Sequence, residues 1–354
     1  MVDEKNIDIR EHCSRSCIYQ DKGRCWDEIA MPDDVNECDN FIFRLNIGNM
    51  KEDRVIKSYK GFDKNMQCRG FQYEVGKEYE VDGDIKCCSR GFHACGSPWE
   101  VFNYYDIVNS RFAEVEQSGK IDRGDNSTKV CSSRIKIKVE LKLSDIIKIC
   151  IKWLKNITSQ SKTEKTTGPN DNSSFYVRIS SSDDHAWISS DRDYAKISSS
   201  GNSANIGSSG NFAQVSSSGD FAKILSEGDY AQISSSDYYV QIGSSGYFAQ
   251  ISSTGYCARV CSSGNRAIIN SSGDSTKIVS TGKDSIIMCA GDKSIVKAEV
   301  GSWITLTEWA WDDMMKQRVP KYVKTEYVDG ERIKANTWYK LKNQMFTEVI
   351  LEKE

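Results

Sequence analysis

The nine residues GDYAQISSS, from Gly228 to Ser236, are one unit of the repeat that decides the fold of this chain. A large aliphatic residue recurs at every ninth position over fourteen units. These positions are Ile179, Ile188, Ile197, Ile206, Val215, Ile224, Ile233, Ile242, Ile251, Val260, Ile269, Ile278, Ile287 and Val296. Alanine usually lies two residues before this position and serine two residues after it, and glycine recurs between units. A strict short period predicts a stack of equivalent units.

The spacing within each unit predicts a short β-strand followed by a tight corner. Residues two apart share one face of a strand, so the alanine, the aliphatic residue and the serine are expected to point inward. Serine, glycine and aspartate favour turns. Because nine residues span at most ~30 Å, we expect two units, about 18 residues, in each coil. The sequence therefore predicts a β-solenoid, with a flat antiparallel meander as the alternative.

Aromatic residues recur immediately before the alanine and are expected to form exposed ladders. One side of the solenoid is expected to carry Tyr176, Tyr194, Phe212, Tyr230 and Phe248, and the opposite side Phe221 and Tyr239. Such ladders either stabilise the coils or bind a partner, and both interpretations stay open. Calcium binding, as in Gly-Asp nonapeptide repeats, is less favoured because the second glycine pair and the fixed aspartate of those repeats are missing.

Composition divides the chain into five segments. We predict a Cys-rich segment at residues 1–40, a small α+β domain at 41–158, a polar linker at 159–174, the solenoid at 175–299 and a C-terminal β cap with a hairpin at 300–354. The predicted fold class is mainly β: an α+β N-terminal region, then a nine-residue-repeat β-solenoid, then a β cap.

Local motifs predict individual elements outside the repeats. Ser97–Glu100 (SPWE) has the residue types of a capping box, so a helix is expected to begin there. Residues 144–157 have the period of an amphipathic helix. Asp329–Gly330 lies between two alternating runs and predicts a two-residue hairpin turn. Three tryptophans at residues 301–313 are expected to cover the end of the solenoid.

Bulk properties exclude some function classes. The formal net charge is −3, which argues against a dominant nucleic-acid surface, so we expect nucleic acid to be reached only through a partner. The sequence has no apolar run of the ~18 residues that a membrane span needs. Residues 1–13 are polar and have no apolar segment of signal-peptide type. We therefore expect a cytoplasmic protein without a membrane partner.

Cysteines suggest metal binding near the N-terminus. Thirteen cysteines occur, and without a signal peptide they are more typical of metal ligands or buried thiols than of disulfides. The first cluster is Cys13, Cys17, Cys25 and Cys38. Four thiolates bind zinc tetrahedrally, so we predict a structural zinc there, with an iron–sulfur cluster or free thiols as alternatives. A second cluster consists of Cys68, Cys87, Cys88 and Cys95 with His93. It could form a second metal site, but small buried thiols are the favoured interpretation.

Three sequence motifs carry a family resemblance. CRGFQYEVGKEYE (residues 68–80), GFHAC (91–95) and SRFAEVEQSGKI (110–121) resemble a small domain of unknown function that is common in phage and prophage proteins. The resemblance covers about residues 58–143 and 301–349, and such domains are often followed by short glycine- and alanine-rich repeats. It implies an accessory protein of phage or prophage type in a bacterial host, and it implies no catalytic residues.

These observations favour a binding protein over an enzyme. We expect a non-enzymatic protein that binds a host protein or protein complex, for example an inhibitor of a host defence complex. One alternative is an enzyme that resembles ADP-ribosyltransferases, centred on His93 with Tyr104 or Tyr105 and Glu116, because such sites combine a histidine, a tyrosine and a glutamate. A structural component of a virion is the third possibility. The sequence has no P-loop, Rossmann glycine set or serine-nucleophile motif.

Overall fold

A computed structural model describes residues 20–21, 24–25, 55–123, 128–160 and 177–351. The chain divides into two compact units, Met1–Asp53 with Asn156–Glu164, and Arg54–Lys155 with Lys165–Glu354. In the first unit, strands β1 (Gln20–Asp21) and β2 (Arg24–Cys25) pair antiparallel.

The second unit begins with a small α+β domain. Its elements are β3 (Ile56–Phe62), β4 (Gln67–Cys68), β5 (Phe71–Gln72), β6 (Glu78–Glu80), β7 (Phe92–Cys95), a 3-10 helix (Glu100–Asn103), β8 (Arg111–Arg123), β9 (Lys129–Leu141) and α1 (Leu143–Gln160). The five-stranded sheet has the order β6-β9-β7-β3-β8, and β8 also pairs with β9, so four strands close into a ring. Alternating apolar residues such as Ala113, Val115, Ile135 and Ile137 fill its core.

The SPWE motif predicted a helix with a capping box, and the structure has a short 3-10 helix there without the box. The chain forms only the four-residue 3-10 helix Glu100–Asn103, and no described side chain caps it. Trp99 is buried, and its indole N–H donates to the Cys150 carbonyl oxygen of α1 at 2.6 Å. The Glu100 carboxylate accepts the Thr128 backbone N–H at 3.0 Å instead of turning back to Ser97. Tertiary contacts therefore override the local capping signal.

The repeats form fourteen strands of four residues each. They are β10 (Arg178–Ser181), β11 (Trp187–Ser190), β12 (Lys196–Ser199), β13 (Asn205–Ser208), β14 (Gln214–Ser217), β15 (Lys223–Ser226), β16 (Gln232–Ser235), β17 (Gln241–Ser244), β18 (Gln250–Ser253), β19 (Arg259–Ser262), β20 (Ile268–Ser271), β21 (Lys277–Ser280), β22 (Ile286–Cys289) and β23 (Ile295–Ala298). Even-numbered strands form the first solenoid sheet and odd-numbered strands the second, and both are parallel. Ile197 pairs with Val215, 18 residues later, so the predicted solenoid with two units per coil is confirmed.

The inward positions of the solenoid are those that the repeat predicts. In one unit, Ala231, Ile233 and Ser235 are all buried. The residues between them alternate outward, and Gln232 and Ser234 are exposed. Each coil encloses a thin interior of alanine, aliphatic residues and serine, so stability comes mainly from stacking coil on coil.

Both solenoid sheets end in an antiparallel hairpin. The closing strands are β24 (Trp303–Asp312), β25 (Gln317–Tyr327), β26 (Tyr339–Lys342) and β27 (Met345–Glu348). β24 pairs with β22 and β25 and so extends the first sheet, while β26 pairs with β23 and β27 and extends the second. The predicted β cap is therefore present.

The predicted Asp329–Gly330 hairpin is wrong. The strands on either side of it, β25 and β26, belong to different sheets, and the hairpin turns lie at residues 313–316 and 343–344. The Asp329 carboxylate accepts the backbone N–H groups of Glu331 and Ile333, which shapes a local turn. This crossover buries Val328, Ile333 and Trp338, and that burial decides its path.

Within the described ranges, no helix is both long enough and apolar enough to span a membrane.

Candidate functional site

The outer faces of the two solenoid sheets differ. On the second sheet, Leu225 and Cys261 are buried although they point away from the solenoid interior. A Cβ added at Gly207 would lie 2.9 Å from Leu154 of α1, and one added at Gly243 would lie 3.2 Å from Ile147 of α1. The α+β domain therefore covers the second sheet, and glycine permits its close approach.

Hydrogen bonds at the edges of this contact hold the α+β domain on the second sheet. Lys223 Nζ donates to Asn103 Oδ1 at 2.6 Å, and Gln241 Nε2 donates to the Phe102 carbonyl oxygen at 3.0 Å. Burial lowers the pKa of Lys223. These contacts hold the α+β domain on one side of the solenoid and leave the outer face of the first sheet open.

The open face of the first sheet is polar and regular. Its exposed side chains form rows of lysine and glutamine beside rows of serine. The rows consist of Lys196, Gln214, Gln232 and Gln250, and of Ser198, Ser216, Ser234 and Ser252. Uncharged hydrogen-bonding groups predominate there, so the face is suited to solvent or to a polar partner surface.

An aromatic column lies at the corners that lead into the first sheet. Tyr194, Phe212, Tyr230 and Phe248, here called the aromatic edge, stack with centroid distances of 5.0, 5.0 and 5.4 Å and interplanar angles of 6 to 11°. The first three side chains are 42 to 43% exposed. Tyr176, the fifth predicted member, lies outside the described residues. Phe221 and Tyr239 stack at 5.2 Å on the opposite edge.

The aromatic residues are corner residues and not the outward strand positions that the repeat suggested. Tyr194, Phe212 and Tyr230 have φ of 56 to 57°, in the left-handed region that favours glycine. The recurring glycine serves another purpose: a Cβ at Gly219 would lie 2.1 Å from the carbonyl oxygen of Gly201 in the previous coil. The alternating strand pattern did not predict these corner positions, because it treats the corner residues as part of the strand.

The corner does not require an aromatic side chain. Arg266 and Asp284 occupy the same position in later coils with φ of 57 and 58°. The guanidinium of Arg266 lies over the Phe248 ring, 5.6 Å from its centroid, and ends the column. Four aromatic residues are therefore concentrated on one edge although the backbone accepts polar residues there.

A second candidate site is a cavity of about 280 Å³ in the α+β domain. The residues that line it are Tyr59, Lys60, Gly61, Cys68, Arg69, His93, Ala94, Cys95, Val101, Tyr104, Tyr105 and Lys129. It brings His93 together with Tyr104 and Tyr105. Glu116 does not line it and forms an ion pair with Lys138 at 2.8 Å. The three residue types expected for the enzyme are thus not assembled around this cavity.

His93 has a structural hydrogen bond in this cavity. Its Nε2 accepts the backbone N–H of Cys88 at 2.9 Å. Burial, followed by the charges of Lys60 and Lys129, lowers the pKa of His93. The neutral ring therefore predominates at pH 7, where it acts as an acceptor.

Lys60 is the cavity residue that sequence reasoning missed. It is only 4% exposed, and its Nζ donates to the His93 carbonyl oxygen at 2.8 Å and lies 3.5 Å from the Cys68 sulfur. The Tyr105 hydroxyl donates to the same sulfur at 2.9 Å. Burial lowers the pKa of Lys60. The sequence does contain a signal for Lys60. It lies two residues before Phe62 in β3 and so shares the inward face of the strand, where an apolar residue is usual.

The cysteine predictions have different outcomes. Cys13, Cys17 and Cys38 lie outside the described residues, and for Cys25 only the backbone is described, so the zinc site stays a prediction. Cys68, Cys87, Cys88 and Cys95 are free thiols. Among the described residues, no three His, Cys, Asp or Glu side chains are grouped so that they could hold a metal ion.

Residues 56–149 match a family model described as a domain of unknown function, DUF7666. The match contains the cavity around His93 and agrees with the resemblance to a small domain of unknown function. No curated protein matches the chain. No solved structure matches it either.

Proposed function

We propose that this chain is a non-enzymatic binding protein that holds a protein or protein complex against the aromatic edge of its solenoid. The observation that carries the proposal is the exposed stack of Tyr194, Phe212 and Tyr230 in left-handed corners. A left-handed conformation costs a residue with a side chain roughly 1–2 kcal/mol. Arginine and aspartate occupy the same corner in later coils at the same φ, so the backbone does not require the exposed aromatic side chains.

The surroundings of the aromatic edge suit an interface. Aromatic side chains provide most of the binding energy in many protein interfaces, and a polar rim surrounds them. The glutamine and serine rows of the first sheet begin two residues after each aromatic residue, as Gln232 follows Tyr230. We propose that the partner contacts the aromatic edge with an apolar patch and the adjoining rows with hydrogen-bonding groups.

The cellular setting of this proposal rests on the resemblance to phage and prophage domains. We propose an accessory protein of that type, acting in the cytoplasm of a bacterial host and blocking a host defence complex by covering part of its surface. Seven coils at ~4.8 Å give a solenoid roughly 33 Å long, which is enough to occlude a standard interface. Nucleic acid is contacted only through the partner.

A binding assay with a matched control tests the proposal. Tagged wild-type protein and the Tyr194→Ala, Phe212→Ala, Tyr230→Ala triple variant are used to capture partners from bacterial lysate. The control is Phe221→Ala with Tyr239→Ala, which removes the stacked pair of the opposite edge. We expect the triple variant to lose a partner that the wild type and the control retain, with all three proteins folded in thermal melts.

The competing explanation is that the stack only stabilises the coils. In that case the triple variant melts at a lower temperature but captures the same partner as the wild type. Equal capture by the folded triple variant and the control would contradict the proposed binding edge.

A further inference from the structure

The cavity beside His93 concentrates positive charge. Lys60, Arg69 and Lys129 all line it, whereas none of the described residues that line it is an aspartate or a glutamate. Lys60 forms the buried part of the wall, and Arg69 is exposed. A concave site that several cations and no described aspartate or glutamate line attracts anions.

Lys60 lacks the opposite charge that a buried ammonium normally has. Its Nζ contacts the carbonyl oxygen of His93 and the sulfur of Cys68, and no described carboxylate forms an ion pair with it. Burying a charge without a counter-charge is unfavourable, and the lowered pKa of Lys60 reflects this cost. An anion in the cavity would supply the missing charge and stabilise the protonated amine.

The remaining wall limits the size and chemistry of the anion. Side chains of Tyr59, Tyr104 and Tyr105 line the cavity together with the cations. Its volume of about 280 Å³ lies near the lower end of the range for small-molecule sites. Several cations match the multiple charge of a phosphate better than a single carboxylate, and the tyrosine rings offer flat surfaces to a sugar or base.

We infer that this cavity binds a small phosphate-bearing metabolite, no larger than a mononucleotide, with Lys60 and Arg69 contacting the phosphate. This inference does not depend on the proposed function, because the residues involved lie in the α+β domain and not on the aromatic edge. The outcome for one is therefore distinguishable from the outcome for the other.

Calorimetric titration of the full chain in phosphate-free buffer tests the inference. The probes are inorganic phosphate, pyrophosphate and AMP, with adenosine as the uncharged match for AMP. We expect saturable binding of AMP or one of the other phosphate probes and none of adenosine. Lys60→Met, which keeps the length of the side chain but removes its charge, is expected to weaken binding at least ~10-fold.

Two further variants make the result decisive. Lys57→Met is the matched control because Lys57 lies on the same strand, is exposed and pairs with Glu114 at 2.8 Å; its affinity should equal that of the wild type. Arg69→Gln changes an exposed residue, so it tests the site even if Lys60→Met fails to fold, and we expect a several-fold loss. Absence of saturable binding by every phosphate probe, or unchanged affinity in both cavity variants, would overturn the inference.

Discussion

The two sheets of the solenoid are built from the same nine-residue unit but have different outer surfaces. In the first five strands of the first sheet, the third position is always serine: Ser180, Ser198, Ser216, Ser234 and Ser252. In the second sheet the same position, from β11 to β21, holds Ser189, Gly207, Leu225, Gly243, Cys261 and Val279. The repeat thus fixes what points inward, whereas the covering domain determines what points outward from the second sheet.

The outer residues of the second sheet alternate in size because they pack against the α+β domain. Gly207, Leu225 and Gly243 are neighbours in the parallel register. Ile151 and Leu154 of α1 approach Gly207, so large and small side chains interdigitate. Parallel sheets usually have both faces covered. Among the described residues, the α+β domain covers the outer face of the second sheet. The outer side chains of the first sheet, such as Gln232 and Ser234, are exposed and polar, which suits them to water.

A carboxylate placed on the outer face of each sheet is expected to have very different effects on stability. Leu225→Asp buries a carboxylate between the second sheet and the α+β domain, where Leu225 is 1% exposed. We expect a loss of about 3–5 kcal/mol in the free energy of unfolding, because the charge has no partner there. Chemical denaturation followed by circular dichroism measures it.

Ser234→Asp is the matched control on the first sheet. Ser234 occupies the same position in its unit and is exposed, so its carboxylate stays hydrated and we expect a change within about 0.5 kcal/mol. Equal stability of the two variants would mean that the α+β domain does not cover the second sheet in solution.

The sequence predicted the inward half of the solenoid because that half obeys one short period. The coil of 18 residues and the buried positions of Ala231, Ile233 and Ser235 follow from strand geometry and chain length alone. The covered face was also encoded, in the replacement of serine by Gly207 and Leu225. Comparing each unit with the next one hides that signal, because neighbouring units belong to different sheets. Comparison of units 18 residues apart reveals it.

The features that the sequence did not predict depend on contacts between distant residues. Trp99 packs against α1, about fifty positions along the chain, and this removes the expected capping box. The cavity depends on Lys60 meeting the backbone of His93 across two strands. The left-handed corners at Tyr194 and its equivalents depend on how one coil stacks on the next. Local propensity contains none of this information.

A smaller loss of stability is expected when a glycine of the second sheet is replaced by the serine of the first sheet. A Cβ at Gly243 would lie 2.8 Å from Leu225 and 3.0 Å from Ile107, so Gly243→Ser forces these side chains apart. We expect a loss of about 1–3 kcal/mol from overpacking. The reverse change, Ser234→Gly, is expected to cost only about 0.5–1 kcal/mol through backbone entropy. A smaller loss for Gly243→Ser than for Ser234→Gly in denaturant titrations would argue against tight packing at the interface.

The smallest expected effect concerns the corners that lead from the first sheet into the second. Gly201, Gly219, Gly255 and Gly273 occupy one column there, and Asp237 interrupts it. Asp237 is 1% exposed. Among the described residues, no donor lies in good hydrogen-bonding geometry to either oxygen of its carboxylate. The adjacent bond from the Ser236 N–H to the Ser217 carbonyl oxygen is 3.4 Å long, against 3.0 Å at Ser218 and Thr254. The side chain therefore disturbs the stacking of the coils locally.

Asp237→Gly is expected to stabilise the protein by about 1 kcal/mol at pH 7, since the gain from removing a buried carboxylate that has no ion-pair partner among the described residues exceeds the entropy cost of glycine. Burial raises the pKa of Asp237 above its ordinary value of 3.8, and the neighbouring Ser217 and Ser235 hydroxyls oppose this shift only in part. Any stability that the raised pKa contributes is present below pH 3.8 and is lost as the pH rises through the folded-state pKa. The advantage of the glycine variant should therefore grow from acid to neutral pH. Thermal melts of both proteins between pH 3 and pH 7 measure this difference, and a constant or shrinking gap would show that the Asp237 carboxylate is hydrated in solution.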